Sequence, residues 1–286
     1  MRYCGREFTE DEIGWLRQLI ADNSTINRQE ISQRFCQQFA WLKFNQGLKD
    51  MSCRIAMLRM EKDGHIVLPP PRRQHAKPHP EVSRTLFTLP EPDINQKAGE
   101  FHLQMEVVDK KSSALWNEFI DRYHYLGYTP LPGAQIRYFV KSGDQILALL
   151  GFGAAAWKTA PRDNYIGWNT EVRGKNLHLV VNNARFLILP WVRSQNLASR
   201  ILSGVSKRIA SDWEARYRYR PVLLETFAEK ARFTGACYKA SNWVCVGDTQ
   251  GRGKLDVNKE YKLPVKSVWL YPLVRDFRQI LCGGGV

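Results

Sequence analysis

The sequence has no hydrophobic run of about 18 residues, the length needed to cross a bilayer, and it carries no lipidation signal. The start Met1–Phe8 is not followed by an apolar stretch of the kind found in signal peptides. None of the six cysteines forms a CxxC pair, and none of the six histidines lies at zinc-finger spacing from them. We therefore expect a cytoplasmic protein with free thiols and without a membrane partner, a disulfide framework or a structural zinc.

Acidic residues are few relative to basic ones. Lys and Arg number 42 and Asp and Glu 28, which gives a formal net charge of +14 at pH 7. A positive field of this size concentrates polyanions at a protein surface, so DNA is the expected partner. The alternative is a charge that only keeps the protein in solution. The hydrophobic fraction of 44% is normal for a folded chain, and 286 residues suffice for one large domain or two ordinary ones.

Residues 1–68 show the pattern of a small helical unit. Thr9 and Glu12 form a capping box, and apolar residues at helical spacing follow it. Asn27 and Glu30 form a second capping box that opens a second helix. A third helix follows, so the first 68 residues are predicted to hold three helices.

The end of the third helix favours a winged helix-turn-helix. The helix is predicted to end near Lys62, and the turn Asp63-Gly64 then leads into the apolar run His65–Leu68. Three helices followed by a hairpin-like turn is the order of that DNA-binding unit, and an ordinary three-helix bundle is the alternative. The predicted core stripe of the helix consists of Leu48, Met51, Ile55 and Leu58. The predicted DNA contacts are Lys49, which faces outward, with Arg54 and Arg59 beside the stripe.

Residues 69–99 are predicted to be a proline-rich basic linker. Proline fixes φ and removes a hydrogen-bond donor, so such a stretch is extended and semi-rigid. Arg72 and Arg73 can lie along a phosphate backbone there or can simply be solvated. The remaining chain, residues 100–286, shows mixed α and β patterns and is predicted to form the core domain.

The order of elements in the core resembles the GNAT acyltransferase fold. A helix, a hairpin, a long strand, a polar turn, the long helix Leu197–Trp213, a strand, a short helix and a last strand follow one another. The resemblance implies a mixed sheet, which makes the fold class α/β (α+β), with a winged helix-turn-helix in front.

Two short segments carry that resemblance further. Arg193-Ser194-Gln195-Asn196-Leu197-Ala198 resembles the signature whose backbone amides hold the coenzyme A pyrophosphate, with Asn196 in place of the first glycine. Tyr238 is followed four residues later by Asn242-Trp243, where the superfamily has Gly-Phe after its general acid. Asparagine tolerates left-handed backbone, so both turns can form. The Asn196 side chain nevertheless stands where the pyrophosphate would approach, so acetyl-CoA is not an expected cofactor.

A second resemblance covers about residue 115 to the C-terminus. The segments that carry it are His124–Tyr128, Leu131–Gln135, Gly151–Lys158, Pro161–Asp163, Asn182–Phe186, Leu224–Phe227 and Gly251–Gly253. They are similar to the DruA family of the Druantia anti-phage system, whose members also occur with transposases. The resemblance implies work on DNA in phage defence or in mobile elements, with other defence or transposition proteins as partners. It assigns no catalytic residue.

Four residues are the candidates for chemistry. Glu225 lies at the end of an otherwise apolar strand, where a carboxylate is costly unless it is paired or used. Together with Asp163 it can hold Mg²⁺ against a scissile phosphate, which makes Mg²⁺ the candidate metal and these two its candidate ligands. The alternative is an ion pair of Glu225 with an arginine such as Arg185 or Arg232. His124 and Tyr238 are the other catalytic candidates, and a packed histidine is the alternative for the first.

Basic residues mixed with aromatic ones indicate where DNA would bind. Arg and Lys contact phosphates, and Tyr or Trp can stack on an unpaired base. The candidates in the core domain are Lys158, Arg162, Arg193, Arg200, Arg216, Arg218, Arg252 and Lys254. The leading hypothesis is therefore a DNA-binding or DNA-processing protein of a defence system or mobile element. An acyl-CoA N-acyltransferase and a metal-dependent nuclease or strand-transferase are the alternatives.

Overall fold

The computed structural model describes residues 1–23, 25–43, 46–71, 82, 84–251 and 263–283. The chain divides into two compact units, Met1–Pro80 and Glu81–Val286. In the described segments no helix is long and apolar enough to span a membrane.

The N-terminal unit holds a short hairpin and three helices. Strands β1 (Arg2–Tyr3) and β2 (Arg6–Glu7) precede helices α1 (Glu10–Ala21), α2 (Arg28–Gln38) and α3 (Asp50–Lys62). The capping box at Thr9 and Glu12 is confirmed. Asn27 is confirmed as the N-cap of α2, because it accepts from two amides of the first turn, but the Glu30 carboxylate contacts the Asn27 side chain rather than its backbone amide. These contacts satisfy amides that would otherwise lack partners at the helix starts.

The predicted core stripe of α3 is wrong. Its buried residues are Cys53, Ala56, Met57 and Met60. Met51, Ile55 and Leu58 are instead 44 to 56% exposed. Both sets have helical spacing, so periodicity alone did not distinguish them. The small side chains of Cys53 and Ala56 sit on the buried face of α3, which faces the shared core of the unit.

The predicted wing after α3 is not present among the described residues. Residues 65–68 form no strand there. Ile66 and Leu68 instead pack into the core of the unit, and the Leu68 amide donates to the Glu61 carboxylate at 3.0 Å. The short hairpin of this unit precedes α1 rather than following α3.

The predicted linker extends too far towards the C-terminus. Residues 84–99 belong to the second unit, because the Thr85 and Thr88 hydroxyls donate to the buried Glu118 carboxylate at 2.9 and 2.6 Å. Ile94 is also hydrogen-bonded through its backbone to Trp191 and Arg193. Of the basic linker residues, Arg72 and Arg73 lie outside the described residues.

The second unit is built on a seven-stranded mixed sheet. The strands are β3 (Leu103–Val107), β4 (Ile136–Ser142), β5 (Gln145–Ala154), β6 (Val180–Ile188), β7 (Leu223–Glu229), β8 (Val244–Asp248) and β9 (Lys266–Pro272). Their order in the sheet is β3-β4-β5-β6-β7-β9-β8. The pair β6 and β7 is parallel and the other neighbouring pairs of this sheet are antiparallel. This arrangement agrees with the mixed, GNAT-like core that the order of elements predicts.

Six helices accompany this sheet in the described part of the unit. They are α4 (Ser113–Tyr123), α5 (Ala160–Ile166), α6 (Thr170–Asn176), α7 (Leu197–Tyr217), α8 (Ala236–Ala240) and α9 (Phe277–Leu281). The long helix α7 connects the two parallel strands, and its residues at spacing four, from Leu197 to Ile209, are buried. Trp116 of α4 and Trp213 of α7 are among the largest buried side chains of the core.

Strands β6 and β7 pair only at their beginnings. The register joins Val180–Asn183 to Leu223–Thr226 and then ends. Beyond this point β6 continues beside β5, and β7 continues beside β9. A register shift between β5 and β6 near Gly151 accompanies the separation. The sheet therefore opens between its two parallel strands, in the middle of the domain.

Candidate functional site

A cavity of about 420 Å³ lies where β6 and β7 separate. We call it the central cleft. Its walls come from β6, β7, the segment after α4 and the segment that leads into α8. The lining residues used below are His124, Tyr125, Asn182, Arg185, Phe233 and Tyr238. Two of the four predicted catalytic residues, His124 and Tyr238, therefore line the same cavity.

His124 caps the C-terminus of α4 and is buried. Its Nδ1 accepts a hydrogen bond from the Leu126 amide at 3.2 Å, so in the neutral ring the proton is carried by Nε2. Burial lowers the pKa of His124 to about 4, and the charge of Arg185 adds to this effect. At neutral pH the ring is uncharged and its Nε2 is a hydrogen-bond donor.

Tyr238 is buried and lies on α8. This helix begins directly after Gly235, whose backbone is left-handed. The Tyr238 hydroxyl lies 3.4 Å from the Asn183 Oδ1, to which it donates, and 3.4 Å from the Thr226 hydroxyl. Burial raises the pKa of Tyr238, so the phenol stays neutral. It can donate a proton or a hydrogen bond but does not act as a phenolate at neutral pH.

Arg185 was considered only as a partner for Glu225, and the structure places it at the wall of the central cleft instead. Its guanidinium donates to the Ala184 carbonyl at 2.8 Å and to the Thr129 hydroxyl at 2.7 Å. In the segments that the structure describes it forms no ion pair with a carboxylate. Burial lowers the pKa of Arg185 because the charge is partly desolvated. The sequence feature that could have indicated a functional position here is an arginine within a largely apolar strand.

Glu225 and Asp163 are brought together, but an arginine lies between them. Arg162 Nη1 is 2.8 Å from the Glu225 Oε2, and its Nη2 is 2.8 Å from the Asp163 Oδ1. Arg173 Nη1 adds a contact to Asp163 at 3.1 Å, and the Ala156 amide donates to Glu225 at 2.8 Å. Burial raises the pKa of Glu225, and the Arg162 guanidinium opposes this. Glu225 thus pairs with Arg162, and neither Arg185 nor Arg232 is its partner.

These contacts do not fit the predicted Mg²⁺ site. Both carboxylates already neutralise guanidinium groups, so a cation would have to displace Arg162 from a fully buried position. The described residues also contain no group of three His, Cys, Asp or Glu side chains that could hold a metal. Asp163 and Glu171 lie in the short helices α5 and α6. Glu171 pairs at the surface with Lys175.

Arg162 is also not a nucleic-acid contact. Its side chain is fully buried, because it is enclosed by the carboxylates of Asp163 and Glu225 and donates to the Ala156 carbonyl. The prediction that Arg162 binds DNA is therefore wrong. Arg54 and Arg193 pair with Asp50 and Asp93.

A second cavity, of about 610 Å³, runs along the first half of α7. We call it the α7 groove. It is lined by Ala98, Leu103, Met105, Asn196, Ser199, Arg200, Ser203, Gly204, Lys207, Arg208 and Ala240. None of these lining residues is acidic. Arg200 and Lys207 are exposed and lie two helical turns apart on one face, while Arg208 pairs with Asp212.

The other predicted DNA contacts are dispersed. Lys158, Arg216 and Arg218 are exposed, and Arg218 ends α7 in the left-handed conformation. In the N-terminal unit Arg59 is exposed and Lys49 half-buried. Arg252 and Lys254 lie outside the described residues.

The two asparagines in glycine positions adopt left-handed backbone. Asn196 and Asn242 both have φ of 65°. The expectation that asparagine preserves both turns is therefore confirmed. Asn196 is the residue that precedes the first turn of α7, and it lines the α7 groove.

Comparison with known proteins identifies the family of the chain. Three similar structures are the ribosomal-protein-S18-alanine N-acetyltransferase from Escherichia coli (6% identity, TM-score 0.37, 60% of this chain and 94% of that chain), an N-acetyltransferase from Staphylococcus aureus Mu50 (12%, 0.38, 60% and 99%) and an aminoglycoside acetyltransferase in complex with coenzyme A (9%, 0.40, 59% and 94%). Likenesses at these scores say nothing about activity. No curated protein matches the chain. The family model of Druantia protein DruA matches residues 60–261, and the chain belongs to the DruA family.

The buried ion pairs should make Arg162 a stability determinant. Arg162→Met leaves two carboxylates without their shared guanidinium, and we expect it to lower the free energy of unfolding by about 3–5 kcal/mol. Lys175→Met removes one member of an exposed pair and should cost less than about 1 kcal/mol. Urea unfolding of both variants measures the difference. Equal, small losses would show that the buried network is not what holds α5 against β7.

The lowered pKa of His124 should appear in the pH dependence of stability. The unfolded histidine has a pKa near 6.5 and the folded one about 4. Between these values the unfolded chain binds more protons, so the free energy of unfolding falls as the pH drops from about 6.5 towards 4, by at most about 3 kcal/mol. His124→Gln should remove this contribution, and His102→Gln, at an exposed histidine, should not. Unfolding at pH 7 and at pH 4.5 compares them, and identical pH dependences of wild type and His124→Gln would contradict the assignment.

Proposed function

We propose that this DruA-family protein acts in anti-phage defence by binding DNA, with the α7 groove as the surface that contacts phosphates. The observation that carries the proposal is the groove itself, whose polar lining is basic or neutral, whose remaining lining is apolar, and which contains no acidic residue. A concave surface of one charge concentrates polyanions more strongly than the same charge spread over a convex surface.

The geometry of α7 suits a phosphate backbone. Arg200 and Lys207 are about 10 Å apart along the helix axis, so each can meet a different phosphate. In the described chain neither residue forms an ion pair with a carboxylate, whereas Arg208, Arg220 and Arg193 do. The charge of Arg200 and Lys207 is therefore available to a ligand. Ser203 on the same face adds a hydroxyl group that can donate to a phosphate oxygen, whereas the Ser199 hydroxyl already donates to the Asn196 carbonyl at 3.0 Å.

Further exposed basic residues are proposed as additional DNA contacts outside the α7 groove. Lys158, Arg216 and Arg218 are exposed on the same unit as the groove. The N-terminal three-helix unit is proposed as a separate DNA-binding unit. Its proposed contacts are Arg59 of α3 and Lys49, the residue that precedes this helix. Arg72, Arg73, Arg252 and Lys254 remain predicted contacts. Proteins of the same defence system, or of transposition, are the proposed protein partners in the cytoplasm.

Strand cleavage by Asp163 and Glu225 is not part of the proposal. Their oxygens are occupied by Arg162, Arg173 and backbone amides. Two-metal and one-metal nuclease mechanisms need carboxylates that are free to bind the ion.

Acyl transfer is the second candidate function. The observation in its favour is that the Tyr238 hydroxyl lies in the cleft between two separating parallel strands. The Asn196 side chain, however, stands at the start of α7, where a pyrophosphate would need bare backbone amides. Isothermal titration calorimetry with acetyl-CoA tests this candidate directly.

The proposed interface should show itself in the salt dependence of binding. Each neutralised phosphate contributes about −0.9 to the slope of log affinity against log salt concentration on duplex DNA. The double variant Arg200→Gln/Lys207→Gln should therefore bind more weakly and flatten the slope by about 2. Lys175→Gln, which removes a paired lysine on α6, is the matched control and should leave the slope unchanged. A wild-type slope near zero, or a double variant with the wild-type slope, would refute the α7 groove as the phosphate contact.

A further inference from the structure

The central cleft combines a cation, hydrogen-bonding groups and aromatic walls. Arg185 and the neutral His124 line a cavity of about 420 Å³. No Asp or Glu is among the residues that line it. A cavity of this size is in the range of small-ligand sites, which are mostly apolar with a few convergent polar groups.

Arg185 gives the cleft the character of an anion site. A partly desolvated guanidinium is unfavourable unless an anion compensates it. In the described chain its partners are one carbonyl and one hydroxyl, both uncharged. The Nε of Arg185 is buried and has no hydrogen-bond partner there. The neighbouring His124 Nε2–H adds a neutral donor, so an anionic oxygen can be held by two different groups.

Asn182 lies at the inner wall of the cleft. Its Oδ1 is buried and has no partner within the described residues, and Asn182 is the register partner of Glu225. The polar groups of the cleft that can meet a ligand are therefore those of Arg185 and His124, which favour an anionic group.

The mouth of the cleft offers flat apolar surface. Tyr125 is 37% and Phe233 45% exposed, and their ring centroids lie 5.4 Å apart. The Arg232 guanidinium lies 4.9 Å from the centroid of the Tyr125 ring, and the His124 ring stacks on Tyr125 at 4.9 Å, so Phe233 is the main stacking surface for a ligand. Exposed aromatic rings beside a cationic pocket are the arrangement on which unpaired bases stack.

We propose that the central cleft takes one unpaired nucleotide of a DNA strand, with its phosphate at Arg185 and His124 and its base against Tyr125 and Phe233. The inference rests on the proposed function, because the nucleotide is part of the DNA that the α7 groove contacts. A base outside a duplex stack is easier to insert than a paired one, so the cleft selects DNA with an unpaired position. The site thus distinguishes distorted or single-stranded DNA from matched duplex.

The test compares two duplexes that differ by one nucleotide. The full chain is titrated with a matched 20-base-pair duplex and with the same duplex carrying a single-nucleotide bulge, by fluorescence anisotropy. We expect the bulged duplex to bind about tenfold more tightly, because one stacked base contributes about that factor. Phe233→Ala and Arg185→Gln should each bring the ratio of the two affinities towards one. Lys175→Gln, at a surface pair on α6, is the matched control and should keep the ratio of the wild type.

The variants are chosen so that loss of folding does not imitate the result. Phe233 is nearly half exposed, so its truncation leaves the core intact, and thermal unfolding verifies this for each variant. A ratio of one in the wild type, or a ratio unchanged in both cleft variants, overturns the inference while the proposed function stands if matched duplex still binds with a steep salt dependence.

Two further titrations distinguish a nucleotide within a DNA strand from a free nucleotide and from acetyl-CoA. Titration with deoxyadenosine monophosphate alone should give binding at least 100-fold weaker than the bulged duplex, because a strand adds the contacts of the α7 groove. Equal binding of the free nucleotide and the bulged duplex would make the site one for free nucleotides and overturn the strand assignment. Tight binding of acetyl-CoA that is lost in Arg185→Gln would overturn it in favour of acyl transfer. Absence of binding to both duplexes would refute the proposed function and this inference together.

Discussion

The separation of β6 and β7 is the constraint from which the central cleft follows. Two parallel strands that stayed paired along their whole length would leave no space between them, and here the register ends at Asn183 and Thr226. Each strand then keeps its other neighbour, so the backbone of both stays hydrogen-bonded beyond that point. The opening exposes side chains from the middle of the sheet, which is how Arg185 of β6 comes to line the same cavity as Tyr238 of α8.

The buried ion pairs lie on β7, next to the point where the two parallel strands separate. Glu225 is next to Thr226, where the pairing ends, and Arg162 ties it to the start of α5. Alternating side chains point to opposite faces of a strand, so Glu225 and the cleft residue Thr226 lie on opposite faces of β7. The predicted catalytic carboxylates therefore act as a structural anchor, and Arg162 and Arg173 balance their charge. A network of this kind is costly to break from one side.

The sequence alone was sufficient for elements whose signals are local. Capping residues, the hairpin of β4 and β5 and the long apolar repeat of α7 were all predicted. The edge strands β3 and β8 were missed, since short strands half-exposed at a sheet edge have weak apolar patterns. The predicted short helix α8 starts only at Ala236, because Gly235 adopts left-handed backbone just before it. The partner of Glu225 was misassigned because Arg162 is 63 residues away, a distance over which spacing carries no information.

The central claim is that DNA lies in the α7 groove and reaches into the central cleft. Photocrosslinking of the full chain to a bulged duplex, with 5-iodouracil at the bulge or in the flanking duplex, followed by peptide mapping, tests it most directly. The account predicts that the bulge position crosslinks to Tyr125 or Phe233 and the flanking positions to residues 196–208. Crosslinks confined to the N-terminal unit, or their absence from both segments, would contradict it.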